Sequence, residues 1–214
     1  MTKVVVLISG SGSNLQAIID ACKSGQINAE IAAVISNRPN AYGLERAENA
    51  GIPALLINHK EFESREAFDT QLQNTIDGFA PDLVVLAGFM RILTEGFTEH
   101  YLGRMLNIHP SLLPKYPGLN THQRALDAGD GEHGATVHFV TPVLDDGPNV
   151  IHASIDIEQT DSAATLATKV HVVEHFIYPK AVEWFAAGRL TMNGNQALLD
   201  NTPLPQAGMA WADL

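Results

Sequence analysis

Asn107 and His109 stand two residues apart at the end of an apolar run, Leu106-Asn107-Ile108-His109-Pro110. Side chains alternate between the faces of a strand, so in a strand over residues 104–109 both would point the same way. An amide and an imidazole that converge at the mouth of a sheet are donors suited to the oxyanion of an acyl-transfer reaction. Pro110, Pro114 and Pro117 follow directly. Each fixes its own φ, which leaves the exit from the strand few conformations. Taken alone, these residues also describe an ordinary strand end with a capped turn.

Other candidate groups lie elsewhere. Gly10-Ser11-Gly12-Ser13-Asn14 separates an aliphatic run from a periodic stretch, the position at which backbone N–H groups and a helix dipole receive a phosphate. A Rossmann fingerprint would place a third glycine where Leu15 stands, and a Walker loop would need Gly-Lys-Ser/Thr, which is missing. The ribose-binding acid of an NAD site is replaced by Ser36-Asn37-Arg38, which leaves an NADP-dependent oxidoreductase using Arg38 as an alternative. Asp145-Asp146-Gly147-Pro148 is a strong turn signal. If that turn folds back over the strand end, the Asp145 carboxylate orients His109 and favours its imidazolium. Met90-Arg91-Ile92-Leu93 offers an apolar wall with one cation, suited to a flat aromatic ligand bearing carboxylates.

Two tempting motifs are discounted. His171-Val172-Val173-Glu174-His175 has the order of inverted zinc proteases. However, Val170, Val173 and Ile177 already define a buried stripe, with Glu174 at its edge and available to a substrate amine or hydroxyl, so no metal is expected. Ser111 lacks the Gly-x-Ser-x-Gly surround of a hydrolase nucleophile. His100, His133, His138 and His152 read as ordinary polar or core histidines.

Positioning these groups requires a scaffold, and the alternation of short aliphatic runs with amphipathic stretches predicts an α/β fold. The expected form is an open, mostly parallel twisted sheet with helices on both faces and later strands partly antiparallel. Strands are expected over residues 4–8, 31–36, 54–57, 83–87, 105–109, 135–140 and 150–157. Leu15, Ile18, Ile19 and Cys22 predict one helix, stopped by Gly25; Phe68, Leu72, Ile76 and Phe79 predict a second after Ser64. A third begins at an Asp161 or Ser162 cap, buries Leu166, Val170, Val173 and Ile177, and is expected to kink at Pro179. Asn193-Gly194 predicts a hairpin, and Pro203-Leu204-Pro205 leads into a tail expected to fray. The 214 residues suit a single domain: a nucleotide-binding half at about 1–105, a catalytic half at about 106–190, and a hairpin and tail over 191–214.

A formal charge of −11 excludes a general nucleic-acid binder. Any anionic substrate must then be held by local donors. The single cysteine, Cys22, excludes an intrachain disulfide, and five aliphatics after Lys3 are too few for a signal peptide or a membrane span, so a cytoplasmic protein is expected.

Ordered motifs across most of the chain resemble the phosphoribosylglycinamide formyltransferase family: Ser9-Gly10-Ser11-Gly12-Ser13-Asn14-Leu15-Gln16-Ala17, Gly88-Phe89-Met90-Arg91-Ile92-Leu93, residues 107–118, His138-Phe139-Val140, Leu144-Asp145-Asp146-Gly147-Pro148 and Glu174-His175. The resemblance implies formyl transfer from 10-formyltetrahydrofolate to the amine of glycinamide ribonucleotide in purine synthesis. It assigns the oxyanion to Asn107 and protonated His109, and orientation and proton relay to Asp145. It gives the nucleotide to Gly12, Ser13, Asn14 and Glu174. The folate falls to Arg65, Met90, Arg91, Ile92, Leu93 and Asn107, with Thr141, Pro142, Val143, Leu144 and Asp145 from the later loop. It further implies small-molecule substrates only, with no metal, nucleic acid or membrane, and a monomer or homodimer.

Some residues depart from the expected pattern. Asn120-Thr121-His122-Gln123-Arg124 stands where a His-Thr-His-Arg-Gln order is expected, and Asp146 and Asn149 replace a small and an aliphatic residue. Relatives that formylate methionyl-tRNA or hydrolyse formyl-folate carry an additional domain, for which 214 residues leave no room. Another formyl-folate transferase or hydrolase, or a nucleotide-binding regulatory module, are the remaining alternatives.

Overall fold

Val4, Val5, Val6, Leu7 and Ile8 are each at most 1% exposed, as in a parallel strand covered on both faces. In the computed structural model, which describes residues 1–214, this run is the centre of the first of two compact units, residues 1–107 and 108–214. The first unit contains β1 (Thr2–Ile8), α1 (Ser13–Lys23), β2 (Ala29–Ser36), α2 (Tyr42–Asn49), β3 (Ala54–Leu56), α3 (Arg65–Asp77), β4 (Leu83–Leu86), α4 (Glu95–His100) and the start of β5 (Met105–His109). All pairings are parallel: β1 lies between β2 and β4, β3 follows β2, and β5 pairs with β4 from Met105 to Asn107. Chain order reverses between β1 and β4. Such a switch point opens a crevice at the carboxyl ends of the strands, where residues 10–14 and 87–93 emerge.

The second unit contains the end of β5, α5 (Thr121–Asp127), β6 (Glu132–Phe139), β7 (Asn149–Asp156), α6 (Ala163–Ala186), β8 (Leu190–Asn193), β9 (Gln196–Leu199), β10 (Thr202–Pro203) and β11 (Met209–Ala210). β6 and β7 pair antiparallel, with a register shift between Val137 and His138, and α6 packs on both. The α/β class, with a large mostly parallel sheet and antiparallel strands later in the chain, is as the alternation predicts. No helix is long and apolar enough to cross a membrane.

Of the two expected caps, Ser162 starts α6, its side chain accepting from the Thr165 N–H, and the helix runs through Pro179 to Ala186. Other details differ from expectation. The buried positions of α6 include Leu166, Val170, Glu174 and Ile177, whereas Val173 is only half-buried. Glu174, at 4% exposure, therefore belongs inside the stripe and not at its edge, because the 3.6-residue period carries 166 and 170 on to 174. Phe79 lies beyond the end of α3 and is half-buried. In the hairpin, Asn193 pairs with Gln196, so the loop is Gly194-Asn195, with Gly194 at φ +57°. The tail is docked. Met209 and Ala210 pair with Ile151 and His152, Leu204 is buried, and the Trp211 ring stacks on Phe176 at 6.0 Å. The short helices α2, α4 and α5 were not foreseen, since eight residues or fewer hold barely two turns of period.

Candidate active site

His109 ends β5 and is 6% exposed. Its Nε2 lies 2.8 Å from the Tyr116 carbonyl oxygen, and its Nδ1 lies 3.5 Å from Asp145 Oδ2. Both neighbours are acceptors. Only the doubly protonated ring donates at both nitrogens. Asp145 reaches this position from the loop between β6 and β7, with φ +53°, and its Oδ2 also accepts the Gly118 N–H at 2.8 Å. Two features fold that loop back on the end of β6. The Phe139 N–H donates to the Pro148 carbonyl at 3.0 Å, and a Cβ on Gly147 would strike the Phe139 carbonyl. The His109 and Asp145 side chains are each 7% exposed, so water screens their interaction weakly.

His138 also faces Asp145, with Nε2 3.9 Å from Oδ1. Its Nδ1 lies 2.9 Å from the Phe139 carbonyl, which places a proton there, and burial pushes its pKa down to about 4. The ring is therefore uncharged near neutral pH, and His109 is the histidine placed to pair with Asp145. Ser111 is engaged elsewhere, its hydroxyl donating to the Lys115 carbonyl at 2.6 Å. Asn107, half-buried, pairs with Leu86 in the ladder and shares by alternation the face of β5 that His109 occupies.

In the first unit, Gly12 has φ +72°, and a Cβ there would lie 2.6 Å from Gly43 Cα. Two helix N-termini thus meet in close backbone contact. No side chain caps the start of α1 at Gly12, which leaves the turn at Ser13 and Asn14 suited to an anion. Arg46 secures the turn: its Nε–H donates to the Ser11 carbonyl at 2.7 Å, and its guanidinium lies 4.9 Å over the Tyr42 ring. Ser9 joins the glycine loop to the segment after β4, donating to Asn37 Oδ1 at 2.5 Å and accepting the Met90 N–H at 2.8 Å. The far end of that segment is held by buried Asp69, whose Oδ2 accepts the Thr94 N–H at 2.6 Å. Met90 and Ile92 are 54% and 57% exposed, an apolar surface beside Leu93. Arg91 lays its guanidinium 4.6 Å over the Phe68 ring, and Arg65 is exposed at the start of α3.

In the second unit, Thr141 and Pro142 precede Val143 and Leu144, which are exposed ahead of Asp145. Glu174 lies buried in α6 between His171 and His175, whose rings stack in parallel at 6.5 Å. No group of three or more His, Cys, Asp or Glu side chains is arranged to hold a metal.

The structure thus brings His109 and Asp145 together and ties the glycine loop to residues 90–93. Sequence reading missed Ser9, Arg46 and Asp69, which act on backbone atoms distant in sequence. The Tyr116 carbonyl and Gly118 N–H carry no side-chain signal at all.

A formyl transferase family profile matches residues 2–182. The chain is 56% identical to the phosphoribosylglycinamide formyltransferase of Escherichia coli (strain K12), over 97% of this chain and 98% of that protein. It is 50% identical to the Haemophilus influenzae protein of the same name, over 98% and 99%. A solved phosphoribosylglycinamide formyltransferase from Coxiella burnetii, in complex with CHES, superposes with a TM-score of 0.94 at 57% identity and covers 98% of each chain.

Proposed function

The chain belongs to the phosphoribosylglycinamide formyltransferases, and from that membership we propose that it transfers the formyl group of 10-formyltetrahydrofolate to the primary amine of glycinamide ribonucleotide. The observation that carries the catalytic assignment is the buried approach of Asp145 to His109 at 3.5 Å. The amine attacks the formyl carbon, forming the new C–N bond and an oxyanion. The Asn107 amide donates to that oxygen, and the His109 imidazolium stabilises it by its charge and through the Nδ1–H, whose contact with Asp145 is long at 3.5 Å. Asp145 stabilises the imidazolium and accepts a proton from the attacking amine, directly or through water. That proton passes to N10 of the folate as the old C–N bond breaks, leaving tetrahydrofolate and the formylated nucleotide.

The same membership extends the reading to binding. Gly12, Ser13 and Asn14 hold the nucleotide phosphate, a reading supported by the uncapped start of α1, and Glu174 contacts the nucleotide. Arg65, Met90, Arg91, Ile92, Leu93, Asn107 and residues 141–145 surround the folate, a reading supported by the exposed side chains of Met90, Ile92, Val143 and Leu144. The decisive experiment mixes purified protein with both substrates and follows tetrahydrofolate and formylated nucleotide together. Equal release of the two is expected. Donor loss without nucleotide formylation, or no turnover, would overturn the reading.

A further inference from the structure

We propose that Arg124 is a positioning residue for the catalytic pair, gripping the loop whose backbone holds both His109 and Asp145. The proposal rests on the catalytic reading of those two residues. Arg124 Nη1 donates to the carbonyls of Pro117 at 2.5 Å and Leu119 at 3.3 Å, and its guanidinium lies 5.2 Å over the Tyr116 ring. The backbone groups between and beside those carbonyls are the ones that touch the pair. The Tyr116 carbonyl faces His109 Nε2, and the Gly118 N–H donates to Asp145 Oδ2.

The loop is not self-supporting. Tyr116, Gly118 and Asn120 have φ of +55°, +77° and +58°, and the left-handed region is unfavourable for the two that are not glycine. External anchors must hold such a shape. One is Asp130, whose Oδ2 accepts from the Tyr116 hydroxyl at 2.7 Å and from Lys115 Nζ at 3.1 Å. The Ser111 hydroxyl, donating to the Lys115 carbonyl at 2.6 Å, is a second, and Arg124 is a third. No carboxylate pairs with its guanidinium; its partners are two carbonyls and a ring, so its planar fork shapes backbone and does not balance charge. Its neighbour Gln123 turns instead to Asp127, donating to Oδ1 at 2.7 Å. The cation of the altered 120–124 stretch therefore sits where it can reach the loop.

The test uses the full chain with both substrates. Arg124→Ala is expected to lower kcat about tenfold with both KM values within about twofold of the parent, since misplacement of reacting groups costs rate. Arg124→Lys, which keeps the charge but loses the fork and the stacking, should recover only part of this. In an Asp145→Asn background, followed in single turnovers, Arg124→Ala should cost less than about twofold more, because the two residues act through one arrangement. An unchanged kcat in Arg124→Ala, or a full tenfold further loss in the Asp145→Asn background, would overturn the proposal. If Arg124→Ala does not fold, Arg124→Lys, which still loses the fork, takes its place in the cycle. Its loss of kcat must likewise vanish in Asp145→Asn, and an additive loss rejects the proposal. His109→Asn separates the two levels of inference. Undiminished kcat there removes the catalytic reading itself, whereas a large loss there with additive Arg124→Ala removes only the positioning role.

Discussion

In the proposed mechanism, Asn107, His109 and Asp145 divide the work at the reacting atoms by charge. Asn107 supplies a neutral donor, so Asn107→Ala should lower kcat by about 100-fold to 1,000-fold, roughly 2.7–4 kcal/mol, the usual cost of one oxyanion donor. Single-turnover kinetics check this, and a loss confined to KM would contradict the role. Asp145→Asn keeps the shape of a side chain that accepts the Gly118 N–H but removes the negative charge 3.5 Å from His109. The attacking amine then loses its proton acceptor, so kcat should fall by about 100-fold or more with KM little changed. An unchanged kcat would reject the role. At this scale the sequence displayed the residue types and the shared strand face of Asn107 and His109. It did not display the distance to Asp145, which depends on a loop 36 residues further along the chain than His109.

The β6–β7 connection is the element that closes this distance. Gly147 allows it, because any Cβ there would collide with the Phe139 carbonyl. Gly147→Ala should destabilise the protein by about 1–3 kcal/mol, the range for overpacking, and should lower kcat by displacing Asp145. Urea unfolding followed beside steady-state kinetics would show both effects, and a stable, fully active variant would show that the loop can relax. The long elements were legible from their periods: β1, α1, α3, β6, β7 and α6 all occur where apolar spacing places them. So were the short strands β3, β4 and β5, whereas the short helices α2, α4 and α5 were not. The Asn193-Gly194 signal located the hairpin but shifted its loop by one residue, because backbone pairing of Asn193 with Gln196 decides which two residues turn.

Burial across the whole molecule sets its response to acid. His133 and His138 are 1% and 2% exposed, and burial is the first cause that lowers each to about 4, with His122 adding to the effect at His133. Their folded pKa values lie below the unfolded value of about 6.5, so between about pH 6.5 and 4 the unfolded chain binds protons that the native state does not. Stability should therefore fall as pH drops through that window. His133→Gln should flatten the fall by up to about one proton in urea titrations at pH 7, 6 and 5, and an identical slope would show that His133 does not contribute. The amino-acid sequence by itself determined the α/β class, the order of the long elements and the chemical groups available, since periodicity and residue type are local properties. Only the tertiary structure decided that Asp145 meets His109, that the tail docks beside β7 and that Arg124 grips the 116–119 loop. The first two join groups far apart in the chain, and the third follows from the turn of a short loop, which no local pattern of residue types encodes.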